Sequence, residues 1–156
     1  MTTRGSSVVS RIRRRIRPER GAAAVEFAIV APLLFMLVFG IIDFGFSFHS
    51  WNATENAARE GARVGAVDSN TTDIVNRVKN ATDFLDQTKL NVAVTCSTNN
   101  GTTFGTCGAG STWLEGDIIR VTVKYDYNYM TPLPTMVGLG NVLHETAVSE
   151  SRFEGN

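Results

Sequence analysis

Arg20-Gly-Ala-Ala-Ala-Val-Glu-Phe-Ala-Ile-Val-Ala-Pro-Leu-Leu-Phe-Met-Leu-Val-Phe-Gly-Ile-Ile-Asp43 is the stretch on which the architecture of this chain turns. Residues 22–42 hold one charged group, Glu26. At about 1.5 Å of rise per residue, these 21 positions cover roughly 31 Å as a helix, the thickness of a bilayer's hydrocarbon core. They read as one membrane-spanning helix. An unpaired carboxylate inside such a run costs several kcal/mol, which marks Glu26 as a candidate functional residue.

Upstream stand Arg4, Arg11, Arg13, Arg14, Arg15, Arg17 and Arg20 against one acid, Glu19. An arginine excess beside a first span holds that end in the cytoplasm, so residues 43–156 are expected outside. The zero formal net charge hides this asymmetry: residues 1–21 carry +6 and residues 22–156 carry −6. An arginine-rich block can signal nucleic-acid binding in a soluble protein, but directly before a membrane-length apolar run it reads as an orientation signal. A cleaved secretory signal would place its small residues after the apolar core. Here Gly21-Ala22-Ala23-Ala24 precede it.

A basic leader, Gly21, four residues, Glu26, Phe27 and then an apolar helix resembles the processing site of type IV prepilins, in the short-leader form of the Flp/Tad branch. The wider pattern, from Arg20 through Leu34, then Ile42-Asp-Phe-Gly, then Asn56-Ala-Ala-Arg-Glu-Gly-Ala-Arg63, resembles the TadE-like family of minor pilins. Residues 20–67 carry the resemblance. A weaker echo lies in Val148-Ser-Glu-Ser-Arg-Phe-Glu154, similar to the family's closing strand, and residues 68–143 carry none.

The resemblance implies that a prepilin peptidase of the cytoplasmic membrane cuts between Gly21 and Ala22. Glu26 then becomes the fifth residue of the mature chain, beside a new cationic amine on Ala22. It can pair with the amine of its own chain or with a neighbour's, and the second pairing would set the register of assembling subunits. The opposing reading leaves Glu26 near enough to the interface to reach water. Glycine at position 21 suits close approach of a protease to the backbone.

Pro32 removes one helical hydrogen bond, so a bend or local melting is expected near 28–32. The helix is expected to run on to about residue 67. Phe44, Phe48 and Trp51 form an aromatic stripe, expected as core packing against the following domain, with an interfacial belt as the other reading. Ala53, Ala57, Gly61 and Gly65 recur every four residues as a smooth strip where another backbone can come close. The strip fits either the protein's own sheet or a partner pilin helix. Glu55–Arg59 and Glu60–Arg63 have the spacing of exposed helical ion pairs, worth a few tenths of a kcal/mol each.

Residues 65–72 read as a break, with Asn70 and Asp73 spaced to cap a second helix. Ile74, Val78, Ala81 and Leu85 give that helix one apolar face over about fifteen residues. From Leu90 the period becomes two. Strands are expected around 92–96, 118–129 and 145–153, the middle one turning Ile119, Val121, Val123, Tyr125, Tyr127 and Tyr129 to one face. Residues 130–141 read as a loop with one short helical turn, whose Leu133, Met136, Val137 and Leu139 suit a lipid or partner contact.

Cys96 and Cys107 are the only cysteines, joined by a turn-rich stretch. In the oxidising compartment assigned to them a disulfide is expected, worth about 2–3 kcal/mol on chain-entropy grounds. No spaced His/Cys set suggests a metal, and His49 and His144 stand far apart. Residues 68–73 lack the central glycine and closing glutamate of a calcium loop. No phosphate loop, nucleophile elbow, zinc-protease or dinucleotide motif is present, so no enzyme chemistry and no cofactor are expected.

The expected fold is α+β: a long N-terminal transmembrane helix continuing outside the membrane, a second amphipathic helix, and a small antiparallel sheet of about three or more strands. The expected organisation is a basic cytoplasmic leader (1–21), a membrane span (22–42) and an extracytoplasmic pilin-like domain (43–156). The resemblance implies a minor pilin, or pseudopilin, of Flp/Tad pilus assembly, serving adhesion. Its implied partners are membrane lipid, the prepilin peptidase, companion pseudopilins or pilins, and an assembly platform with a secretion ATPase, with no nucleic acid. An unprocessed single-pass anchor displaying a small domain is the alternative.

Overall fold

The computed structural model describes residues 18–107 and 113–155, with side chains from residue 21 onward. Most of the basic leader, residues 1–17, lies outside the described residues. The chain divides between Leu37 and Val38 into two units.

The first helix, α1 (Pro18–Gly65), begins in the first unit and ends in the second. Between residues 21 and 37 every side chain except Ala31 is exposed, although nearly all are apolar. From Gly21 on, α1 is long and apolar enough to cross a membrane. It is unbroken at Pro32, so the expected local melting is absent. A proline deletes one donor, and the hydrogen bonds of the adjoining turns keep the helix closed.

The second unit is α+β. After α1 come α2 (Thr71–Ala81), β1 (Leu90–Ser97), β2 (Gly105–Thr106), β3 (Ile118–Asn128), a one-turn α3 (Leu133–Met136) and β4 (Val142–Arg152). The strands form one antiparallel sheet in the order β2-β1-β3-β4. In β3, Ile119, Val121, Val123, Tyr125 and Tyr127 are buried, and the alternate residues Lys124, Asp126 and Asn128 are exposed. The period-two pattern therefore has its physical cause in a sheet covered on one face.

The inward face of β4 carries Glu145, Ala147, Ser149 and Ser151, opposite Tyr125, Val123, Val121 and Ile119. These small side chains let α1 come close. Ser50 touches Glu145, and Ser151 Oγ donates to the Ala62 carbonyl at 2.6 Å. Twelve helical residues cover about 18 Å and six strand residues about 20 Å, so α1 and β4 run side by side in the same direction.

Asn70 caps α2, its side-chain oxygen accepting from Thr72 N at 3.0 Å while its amide donates to Asp73 at 2.7 Å. Asp73 thus receives a side-chain donor, and the Asn70 N–H goes to Asp68 at 2.8 Å. The helix ends at Ala81, short of the fifteen residues expected. Buried Thr82 is responsible: its hydroxyl takes the Val78 carbonyl at 2.9 Å and its N–H the Lys79 carbonyl, closing the last turn early. Ile74 and Val78 are fully buried between α1 and the sheet, each contributing about 1.5–3 kcal/mol.

Candidate functional site

Gly21 and Ala22 lie in the opening turns of α1, exposed, with no atom within 4 Å of the place a Gly21 Cβ would occupy. Glycine and a helix end together make this the part of α1 that unwinds most easily. Glu26 and Phe27 follow on the same exposed helix, Phe27 being 68 % exposed. Among the described residues Glu26 makes no hydrogen bond or ion pair, which leaves its carboxylate open to a cation from elsewhere.

The small-residue strip lies against the protein's own α2 and β3. Ala57 is fully buried, Ala53 nearly so, and a Cβ at Gly61 would sit 2.6 Å from Val78 Cγ2 and 3.2 Å from Val121 Cγ1. At Gly65 it would meet Ile74 Cδ1 at 3.2 Å and Ile119 Cγ2 at 3.3 Å. The ion pairs Glu55–Arg59 and Glu60–Arg63 both form, and Arg77 of α2 joins Glu60 as a second partner. The two guanidiniums hold the Glu60 carboxyl at about 2, chiefly through the Arg63 and Arg77 hydrogen bonds.

The aromatic stripe is not core. Phe44, Phe48 and Trp51 are exposed, with Phe44 and Phe48 stacked at 6.1 Å. They wall a groove of about 490 Å³ closed on the other side by Leu143, His144 and Thr146 of β4. Of the inward-facing β4 residues at this level only Leu143 is bulky and apolar, and it leaves the three rings exposed.

Two buried acids lie here, Asp43 on α1 itself and Glu145 on β4 against it. Asp43 is buried, its Oδ1 accepting the N–H groups of Met130 at 2.9 Å and Thr131 at 3.1 Å, and its Oδ2 the Thr131 hydroxyl. Glu145 is buried beneath the groove, and its Oε1 accepts from Ser50 at 2.8 Å and Ser47 at 3.4 Å. Its Oε2 has no partner, nor has the buried Tyr127 hydroxyl. Burial pushes the Glu145 carboxyl above its ordinary value against the pull of the two serines, and burial likewise raises the Tyr127 phenol, with Asp43 and Glu145 adding to it. Glu145 was legible in outline: it shares the parity of Ala147, Ser149 and Ser151, so any covered sheet had to bury it.

Cys96 and Cys107 are bonded, with Cα atoms 5.1 Å apart, in the hairpin where Cys96 pairs with Gly105. Among the described residues no cluster of His, Cys, Asp and Glu could hold a metal ion.

The site so described is an apolar membrane-length helix bearing one carboxylate, extended into a small α+β unit built for packing. A family model described as TadE-like protein matches residues 21–63, the segment holding Gly21, Glu26, the aromatic stripe and Gly61. The chain thus carries a TadE-like segment over residues 21–63. The closing-strand likeness at 148–154 falls outside that match. Searches of curated proteins and of solved structures each found no match.

Proposed function

We propose that this protein is a minor pilin, or pseudopilin, that takes part in assembly of Flp/Tad-type pili and performs no catalysis. The observation that carries the reading is the TadE-like match over residues 21–63, which begins at Gly21 and contains Glu26 as the one charge of the apolar run. In this reading residues 1–21 form a cytoplasmic leader, 22–42 cross the membrane and 43–156 form an extracytoplasmic domain. A prepilin peptidase removes the leader between Gly21 and Ala22. The new Ala22 amine and Glu26 then provide opposite charges a few residues apart, and pairing between neighbours sets the axial register of companion subunits on the assembly platform. The exposed, apolar surface of residues 22–37 supports a segment surrounded by lipid or by other pilin helices.

The test is the mass and N-terminal sequence of the protein recovered from membranes of cells with and without the cognate peptidase. A peptidase-dependent N-terminus at Ala22 is expected. A chain that keeps its leader in both strains would overturn the processing claim and leave a permanent single-pass anchor.

A further inference from the structure

We propose that the loop spanning residues 129–143, with α3 at its centre, is a second membrane contact that lies in the outer edge of the bilayer beside α1. It rests on the reading of residues 22–42 as a membrane span.

Depth is the first ground. Leu133 packs on α1 at Gly40, where a Cβ would lie 3.8 Å from Leu133 Cδ2. Gly40 belongs to the apolar run, so a bilayer that buries the run reaches the level of Leu133. Asp43, one residue past the run, then holds Met130 and Thr131 at the same height through three hydrogen bonds.

Composition is the second. Residues 129–143 contain no charged side chain, and Met130, Met136, Val137 and Leu139 are exposed, Met136 being 79 % exposed.

Backbone satisfaction is the third: most of the loop's amides are paired within the protein rather than left to solvent. Loops in water leave amide groups to the solvent, whereas segments entering lipid must pair them internally. Tyr129 N–H donates to Asn141 O at 3.2 Å, and Met130 and Thr131 donate to Asp43. The N–H groups of Met136, Val137, Gly138 and Leu139 go to carbonyls of residues 132–135, and Pro132 and Pro134 bring no donor.

The experiment uses the full chain in vesicles of phosphatidylethanolamine and phosphatidylglycerol. Cys96 and Cys107 are bonded to each other, so a single new thiol takes an environment-sensitive fluorophore alone. Labels go at Met136→Cys, at Leu34→Cys within the run, and at the exposed Val67→Cys beyond the end of α1. The expected result is a blue shift at 136 and loss of its emission to acyl-chain nitroxide lipid, as at 34, with neither at 67. A label at 136 that behaves like 67 while 34 is quenched overturns the loop contact and leaves the anchor intact. Absence of quenching at all three positions overturns the membrane span and the contact with it. Shielding at 136 that arises only with companion pilus proteins, without nitroxide quenching, overturns lipid as the occupant and makes the loop a protein dock.

Discussion

Asp43 and Thr131, 88 positions apart, are joined through both oxygens of one carboxylate: Oδ1 takes the Thr131 N–H at 3.1 Å and Oδ2 takes its hydroxyl. The acid that closes the apolar run is thereby turned into a clamp on the loop carrying α3. Replacing Asp43 by alanine strands three donors, at a cost of about 2–4 kcal/mol. Asp43→Asn keeps Oδ1 and should lose less. Denaturant titration of the full chain in detergent, together with the rate of proteolysis within residues 130–141, checks the order wild type, Asn, Ala.

Gly61 has no room for a side chain. Gly61→Ala drives a Cβ to 2.6 Å from Val78 Cγ2, and Val78 is fully buried and cannot step aside. Overpacking of about 1–3 kcal/mol against a helix-propensity gain of about 1 kcal/mol leaves a net loss of up to about 2 kcal/mol. Gly45, with nothing within 4 Å of its Cβ position, is the control, and Gly45→Ala should stabilise by about 0.5–1 kcal/mol. Equal effects at the two positions, measured by denaturant midpoint, would sink the close-approach account.

Glu145 makes stability fall as pH rises. Its carboxyl sits above the ordinary value of 4.5, so the folded protein holds its proton more tightly than the unfolded chain does. The contribution is complete below 4.5 and is lost as pH climbs through the folded value. Glu145→Gln keeps an acceptor for Ser47 and Ser50 and does not titrate. Melting temperatures from about pH 4 to 8 should therefore decline less steeply in the variant, in accord with linkage.

Glu60 acts in the opposite sense. Its carboxyl is lowered from 4.5 to about 2 by Arg63 and Arg77, so its contribution is present above 4.5 and lost as pH falls toward 2. Glu60→Gln should be less stable than wild type at neutral pH and equal to it near the acid limit. An acid titration followed by circular dichroism compares the two, and a constant gap down to the acid limit would refute the ion-pair account.

The Cys96–Cys107 bond closes a short hairpin loop whose ends are 11 positions apart. Replacing both cysteines by serine should cost about 2–3 kcal/mol, lowering the melting temperature by roughly 10–20 °C. Thermal melts with and without reductant should reproduce that difference in the wild type and show none in the variant.

The elements legible in the chain were those written in a single local pattern. The apolar run 22–42, the four-residue strip from Ala53 to Gly65, the alternation of 118–128 and the Asn70 cap each depend on neighbours a few residues away, and periodicity exposes them. The TadE-like motif was legible for the same reason, since it lies within one continuous helix. The length of α2 was not, because Thr82 ends it through a local side-chain bond that competes with an otherwise intact apolar period.

Long-range pairing lay beyond reach. The exposure of Phe44, Phe48 and Trp51 depends on how β4 lies along α1, and an aromatic stripe looks the same whether a sheet covers it or not. The roles of Asp43 and Glu145 arise from partners 88 and 95 positions away, brought together as β4 runs along α1 and antiparallel to β3. Local periodicity determines which face of each element is apolar, because it repeats at the spacing of the backbone itself. Which buried acid meets which donor is decided by packing across the chain, and no spacing in the sequence records it.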